Sequence, residues 1–214
     1  MLDLERVESV AVLSVWMLEP NLGALLVKLR ERGYAAARVR PKSLGGYEIL
    51  FLEPPGVIAI KGLTYVLYNP ERRVLTIEGH KAEEVLLTLN EVEENLRGVG
   101  NNPEKGVLFY ELQAKAIARG SKWAIKKEVE TKDLLGLNLL AMPTSFVSAD
   151  DDPSSNRWLH LEVRPLWSSW SDEQVRYEVV LIYRDKKDKL VETLRRLENI
   201  MGEVLRRATT LLGT

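Results

Sequence analysis

Apolar residues recur at two different spacings along this chain, and the switches between the spacings mark the predicted elements. Val7 to Met17 reads as an extended run, and Glu19-Pro20-Asn21 ends it while offering Asn21 as a helix N-cap. Leu22, Leu25, Leu26 and Leu29 then fall at helical spacing. Lys28, Arg30 and Arg32 occupy the later turns, where the helix dipole favours cations, and Gly33 supplies the stop. Short strands are predicted near 34–40, 47–52, 57–60, 64–68 and 73–78, punctuated by Gly45-Gly46, Pro54-Pro55, Gly62 and the Asn69-Pro70 turn. A helix over 81–97 sets Ala82, Val85, Leu86, Leu89, Val92 and Leu96 on one stripe, with Glu83, Glu84, Glu91, Glu93 and Glu94 on the other side.

The turn formers from Gly98 to Gly106 predict a linker over 99–106, and beyond it the plan recurs in outline. Val107 to Arg119 alternates as a strand, 122–134 is read as a helix, and strands follow near 137–148, 158–167 and 175–184. In the last segment Leu190, Leu194, Leu197, Met201, Val204, Ala208 and Leu211 step alternately by four and three, a stripe that predicts one long amphipathic helix. The expected architecture is α+β. It comprises two units, 1–98 and 107–214, each contributing to a curved antiparallel sheet backed by long amphipathic helices.

Composition narrows the function classes. The 30 Lys and Arg against 31 Asp and Glu leave a net charge of -1, and residues 1–100 carry 12 basic and 14 acidic side chains, so neither half is a basic arm. The chain has no cysteine, which removes disulfides, thiolate nucleophiles and cysteine-ligated metals. Apolar runs are strand-sized, and Met1 to Arg6 lacks the basic and apolar regions of a secretory leader. These features predict a soluble, cytoplasmic protein, with a composition resembling that of thermophiles.

Motifs for chemistry are sparse. His80 and His160 are the only histidines and stand in no zinc-hydrolase spacing; no phosphate-binding glycine loop and no nucleophile elbow occurs. Asp150-Asp151-Asp152 with Ser154, Ser155 and Asn156 lacks cation-loop spacing and reads as a hairpin tip. No catalytic residue, metal or cofactor is expected. Aromatic residues point elsewhere. Trp167 is read as the end of an inward strand face, and Trp170, between serines at the tip of the hairpin 157–184, is the residue best placed for a partner contact. An alternative is a small-molecule binding protein or enzyme with a cavity between the sheet and the last helix, lined by Trp158, Phe146 and Tyr177. Self-association through the exposed sheet face is a third possibility.

Residues 7–97 resemble one repeat of the TATA-box-binding protein family. The resemblance rests on Val7-Glu-Ser-Val-Ala-Val12, on Leu44 to Pro55, and on Tyr65-Val-Leu-Tyr-Asn69 followed by Arg73-Val-Leu-Thr-Ile-Glu-Gly-His-Lys81. It implies a saddle-shaped sheet. It also implies Val74 and Thr76 as groove-facing residues and Tyr68 at a position where the family carries a wedge aromatic. Ser9 replaces the family's asparagine, and its backbone-contacting arginine falls at Leu50 or Phe51. Since duplex binding rests on cationic contacts to phosphate, these departures favour a protein partner over nucleic acid. The candidate binding residues are therefore Trp170, Trp167, Val74, Thr76 and Tyr68.

Overall fold

Parity along the first strand decides which way the sheet faces. In the computed structural model, which describes residues 2–43, 46–122, 124–125, 145–148 and 154–212, Val10, Val12, Ser14 and Trp16 are buried while Ser9, Ala11, Leu13 and Val15 are half-buried. Every second residue thus enters the core, as a strand with one packed face requires. In chain order the elements begin with β1 (Leu2–Trp16), α1 (Leu22–Glu31), β2 (Ala35–Ala36), β3 (Arg38–Pro41), β4 (Tyr47–Leu50) and β5 (Val57–Lys61). They continue with β6 (Thr64–Asn69), β7 (Val74–Gly79), α2 (Ala82–Gly98), α3 (Pro103–Gly106) and β8 (Val107–Gly120). The last are β9 (Ser145–Val147), β10 (Trp158–Pro165), β11 (Val175–Asp185), α4 (Lys187–Arg195) and α5 (Leu197–Leu212).

Nine strands form one sheet in the order β2-β5-β6-β7-β1-β8-β11-β10-β9, all neighbours antiparallel. The longest strands, β1 and β8, pair at its centre from Leu2↔Gly120 to Trp16↔Val107, with register shifts between Leu4 and Arg6, Val7 and Ser9, and Val15 and Trp16. Reading outward from β1 gives β7, β6, β5 and β2; reading outward from β8 gives β11, β10 and β9. On each side the later strands enter at the far edge and return to lie against the long central strand.

One continuous core joins that buried parity to the helices. Leu22, Leu25, Leu26 and Leu29 of α1, Val85, Leu89, Val92 and Leu96 of α2, and Leu190, Leu194, Leu197, Met201 and Leu205 of α4 and α5 all belong to it. Local signals set the first helix as expected. The Asn21 side chain accepts the Ala24 N–H at 3.2 Å, and Gly33 takes φ +82°, a conformation costly for residues with a Cβ.

The structure corrects the sequence reading at three elements. The predicted strand 34–40 is two strands in different sheets. Ala37 is buried, its N–H donates to Ile58 O, and the chain then leaves the large sheet to form the β3–β4 hairpin, whose Val39, Tyr47 and Ile49 pack on the core. The single long C-terminal helix is broken at Arg196, which takes φ -120°. No Pro or Gly causes the break. Packing partners change there, α4 lying on β8, β11 and α2 and α5 on β1, so the apolar stripe is divided between two seats. Within the predicted linker, Pro103–Gly106 forms a helical turn, and Gly106 lies so close to Trp16 that a Cβ would come within 3.0 Å of its ring. The predicted helix over 122–134 falls almost entirely outside the described residues, as does the predicted strand over 137–148 except for its end at β9, and the Asp150–Asp152 loop lies outside them as well.

A buried carboxylate fastens α2 to the second half of the chain. Glu93 is 3% exposed, accepts the Tyr110 hydroxyl at 2.8 Å and the Lys187 ammonium, and lies 3.4 Å from Arg97. Burial, and then the Glu93 charge, push the Tyr110 phenol well above its ordinary value. Removing one partner of a buried pair leaves an uncompensated charge. Lys187→Ala should therefore lower stability by about 2–3 kcal/mol in urea unfolding, with the double variant Glu93→Leu/Lys187→Leu closer to the parent.

Glu91, also on α2, accepts the Tyr34 hydroxyl at 2.5 Å and Lys61 Nζ at 3.0 Å. Burial pushes its carboxyl up, but the hydrogen bonds from Tyr34 and Lys61 outweigh it and hold the group below its ordinary value of 4.5. A depressed folded value means that this stabilisation is complete above the unfolded pKa and is lost as pH falls through the folded one. Lys61→Ala should lower the thermal midpoint at neutral pH, and the difference from the parent should shrink below about pH 4.

Candidate interaction surface

The described helices all pack on one side of the sheet, so the residues of opposite parity form a second face. Strand registers order that face into rows. One row runs Phe109–Val15–Val74–Asn69; the next runs Trp158–Arg184–Glu111–Leu13–Thr76–Leu67. A third runs His160–Ile182–Gln113–Ala11–Glu78–Tyr65. The β7–β1 side of the face is therefore largely neutral, with Leu13, Val15, Leu67, Val74 and Thr76 together and Glu78 beside them.

Charge gathers on the β8–β10 side and is mostly matched there. Arg164 reaches Glu178 at 2.7 Å and Glu162 at 3.4 Å, and Glu5 takes Arg119 at 2.6 Å and Arg176 at 3.5 Å. The Arg119 hydrogen bond is the largest influence holding the Glu5 carboxyl below its ordinary value. Arg184 and Glu111 are the most enclosed pair, joined at 2.6 Å, with Glu111 only 8% exposed. The Arg184 guanidinium lies 4.1 Å from the Phe109 ring centroid and 5.9 Å from that of Trp158. Gln113 also donates to Glu111, at 2.7 Å. Lys115, in the middle of this side, has no ion pair among the described residues.

The five residues singled out from sequence separate into three places. Val74 and Thr76 are half-buried on the second face. Tyr68 is on the opposite side, 2% exposed in the core, because it pairs with Leu75 and shares its parity. Its hydroxyl has no hydrogen-bond partner among the described residues, and burial, followed by the charge of Glu19, raises its pKa to about 12. It is withdrawn from any partner. Trp167 and Trp170 exchange their expected roles. Trp167 ends no strand but opens a 3₁₀ turn, Trp167–Ser169, and is 65% exposed; Trp170 is partly buried against the core. Their rings pair at 4.9 Å, on a tip stapled by Ser169, whose hydroxyl donates to Leu166 O and accepts the Arg176 N–H.

The remaining candidates have ordinary surroundings. His80 Nδ1 lies 2.7 Å from Glu8 O, and since a carbonyl only accepts, Nδ1 carries the proton. His160 is stacked on Trp158 at 5.5 Å and shares a 2.7 Å hydrogen bond with Ser145. Trp158, Phe146 and Tyr177 do not line one cavity: Phe146 and Tyr177 lie with the core and Trp158 on the second face. A cleft of about 480 Å³ does exist where α2 begins, beside the α4–α5 break. Its ionic lining is mixed, with Lys81, Arg195 and Arg196 beside His80 against the two carboxylates Glu83 and Glu198. Among the described residues no helix is long and apolar enough to cross a membrane. Comparison with protein-family models and with curated proteins finds no match to this chain.

Sequence reasoning missed Arg184, Glu111, Phe109 and Lys115. The alternation in β8 and β11 was visible, but nothing local reveals that Arg184 lies opposite Glu111.

The two tryptophans give a direct check of the tip. Trp167→Ala should change stability by no more than about 0.5 kcal/mol, whereas Trp170→Ala should cost about 2 kcal/mol, read as the shift in urea midpoint.

Proposed function

We propose that this chain is a non-enzymatic binding protein, working in the cytoplasm, that presents the second face of its sheet to a protein partner. In this reading residues 1–98 and 107–214 are two units of one plan, joined first strand to first strand as in the saddle of the TATA-box-binding protein family. The mirrored strand order about β1 and β8 supports the two-unit reading.

The observation that carries the reading is the contrast between the two faces. Helices fill one, while the other places a neutral strip, Leu13, Val15, Leu67, Val74 and Thr76, beside ion pairs that neutralise one another. Protein interfaces have this make-up, an apolar centre with a polar rim. Duplex DNA needs cations left over for phosphate, and here Arg164, Arg176 and Arg184 each face a carboxylate.

The test is crosslinking and affinity capture from native lysate with the parent protein, compared with Leu13→Glu and Thr76→Glu. Each carboxylate placed in the neutral strip should abolish capture of the same partner, while Trp167→Ala should retain it. Loss only in Trp167→Ala would move the interface to the hairpin tip. Tight, A·T-preferring binding in a duplex shift assay near physiological salt would replace the protein reading with a nucleic-acid one.

A further inference from the structure

The outer edge of the sheet at β2 carries a second recognition feature, independent of the face just described. A shallow groove of about 640 Å³ runs along it, lined by Arg30, Tyr34, Ala35, Ala36, Arg38 and Val39. Among the described residues that line it, the two arginines are the charged ones. The carboxylates nearby are already engaged: Glu31 by Lys28, Glu48 by Arg40, Glu91 by Lys61 and Glu94 by Arg32. The Arg38 side chain is exposed and makes no ion pair or hydrogen bond among the described residues. Arg30 is fixed by its bond to Ala37 O, with one nitrogen 3.5 Å from Ala36 O, which leaves further N–H donors for a ligand.

Backbone groups at this edge also remain available among the described residues: the Ala36 N–H is open, and its C=O, 3.5 Å from an Arg30 nitrogen, keeps a second lone pair. Ala37 donates to Ile58 O, so by the alternation of an antiparallel ladder the intervening residue, Ala36, which faces Ala59, turns its own N–H and C=O away from β5. Ala35 and Ala36 have no bulk to keep another strand at a distance. Leu50 and Phe51, each 40% exposed, follow on the neighbouring hairpin.

We propose that this edge docks an extended, acidic segment of a protein partner, which adds a strand beside β2 and places its carboxylates on Arg30 and Arg38. An extended segment puts every second side chain on one face, so alternating carboxylates can meet both arginines while the backbone meets Ala36. Bidentate geometry suits arginine for this task. A cationic segment would meet two unmatched like charges.

The probe is a short fluorescein-labelled peptide of alternating Glu and Val, followed by fluorescence anisotropy at low ionic strength. Binding should weaken about ten-fold in Arg38→Glu, a substitution at an exposed side chain without a structural bond, and by a similar factor in Arg30→Glu. It should be unchanged in Lys115→Glu on the second face, and lost when alternate peptide amides are N-methylated. No binding by the parent, equal binding by Arg38→Glu, or equal binding by the N-methylated peptide would overturn the proposal. So would an oligothymidine that binds as tightly as the peptide, since that result would assign the arginines to phosphate. Circular dichroism of each variant separates loss of binding from loss of fold.

Discussion

The antiparallel pairing of β1 with β8 is the constraint on which the rest of this structure depends. Among the described residues no other strand pair joins the two halves of the sheet, so it sets both the continuity of the ladder and the parity that every neighbour inherits. A slip of one residue would exchange Val10, Val12 and Trp16 for Ala11, Leu13 and Val15 in the core. The register shifts near Leu4 and Ser9 fall in the first half of β1, where Glu5 and Arg6 form ion pairs at the surface, and a third lies at its end between Val15 and Trp16; from Ser9 to Val15 the pairing with β8 keeps strict alternation.

Much of this architecture was legible because it is locally encoded. Asn21 and Gly33 delimit α1, the leucine stripe predicts its buried face, and the alternation in β10 and β11 sorts their residues correctly. What was not legible depends on contacts distant in sequence. The strand reading began at Val7 because Asp3, Glu5 and Arg6 look unlike strand residues; they are held there by pairing with β8 and by ions such as Arg119. The helix break at Arg196 was hidden because Leu194, Leu197 and Met201 keep the same three-and-four spacing through it. Tyr68 was assigned by analogy of position, whereas its parity with Leu75 sends it to the core.

The same distinction applies to the second face of the sheet. Val74 and Thr76 were named from the family resemblance, and in the structure their burial alternates with that of Leu75 and Ile77. The strip they belong to also needs Leu13 and Val15 from β1 and Leu67 from β6, and the adjoining Arg184–Glu111 pair needs two strands more than 70 residues apart, which no window of sequence brings together. Recognition on such a face is a property of the pairing pattern. The β2 edge is a contrasting case, since Arg30 and Arg38 lie close in the chain and matter because the carboxylates around them are taken.

The span enclosed by the central pair has a consequence for how the chain is made. Val12 meets Leu112, and the contact cannot form until about a hundred further residues have been synthesised. Until then β1 has β7 on one side and nothing on the other, so the nascent chain leaves the ribosome with its longest ladder half-complete. Protection of that margin during translation, by speed of elongation or by a chaperone, is a demand that this topology places on the cell.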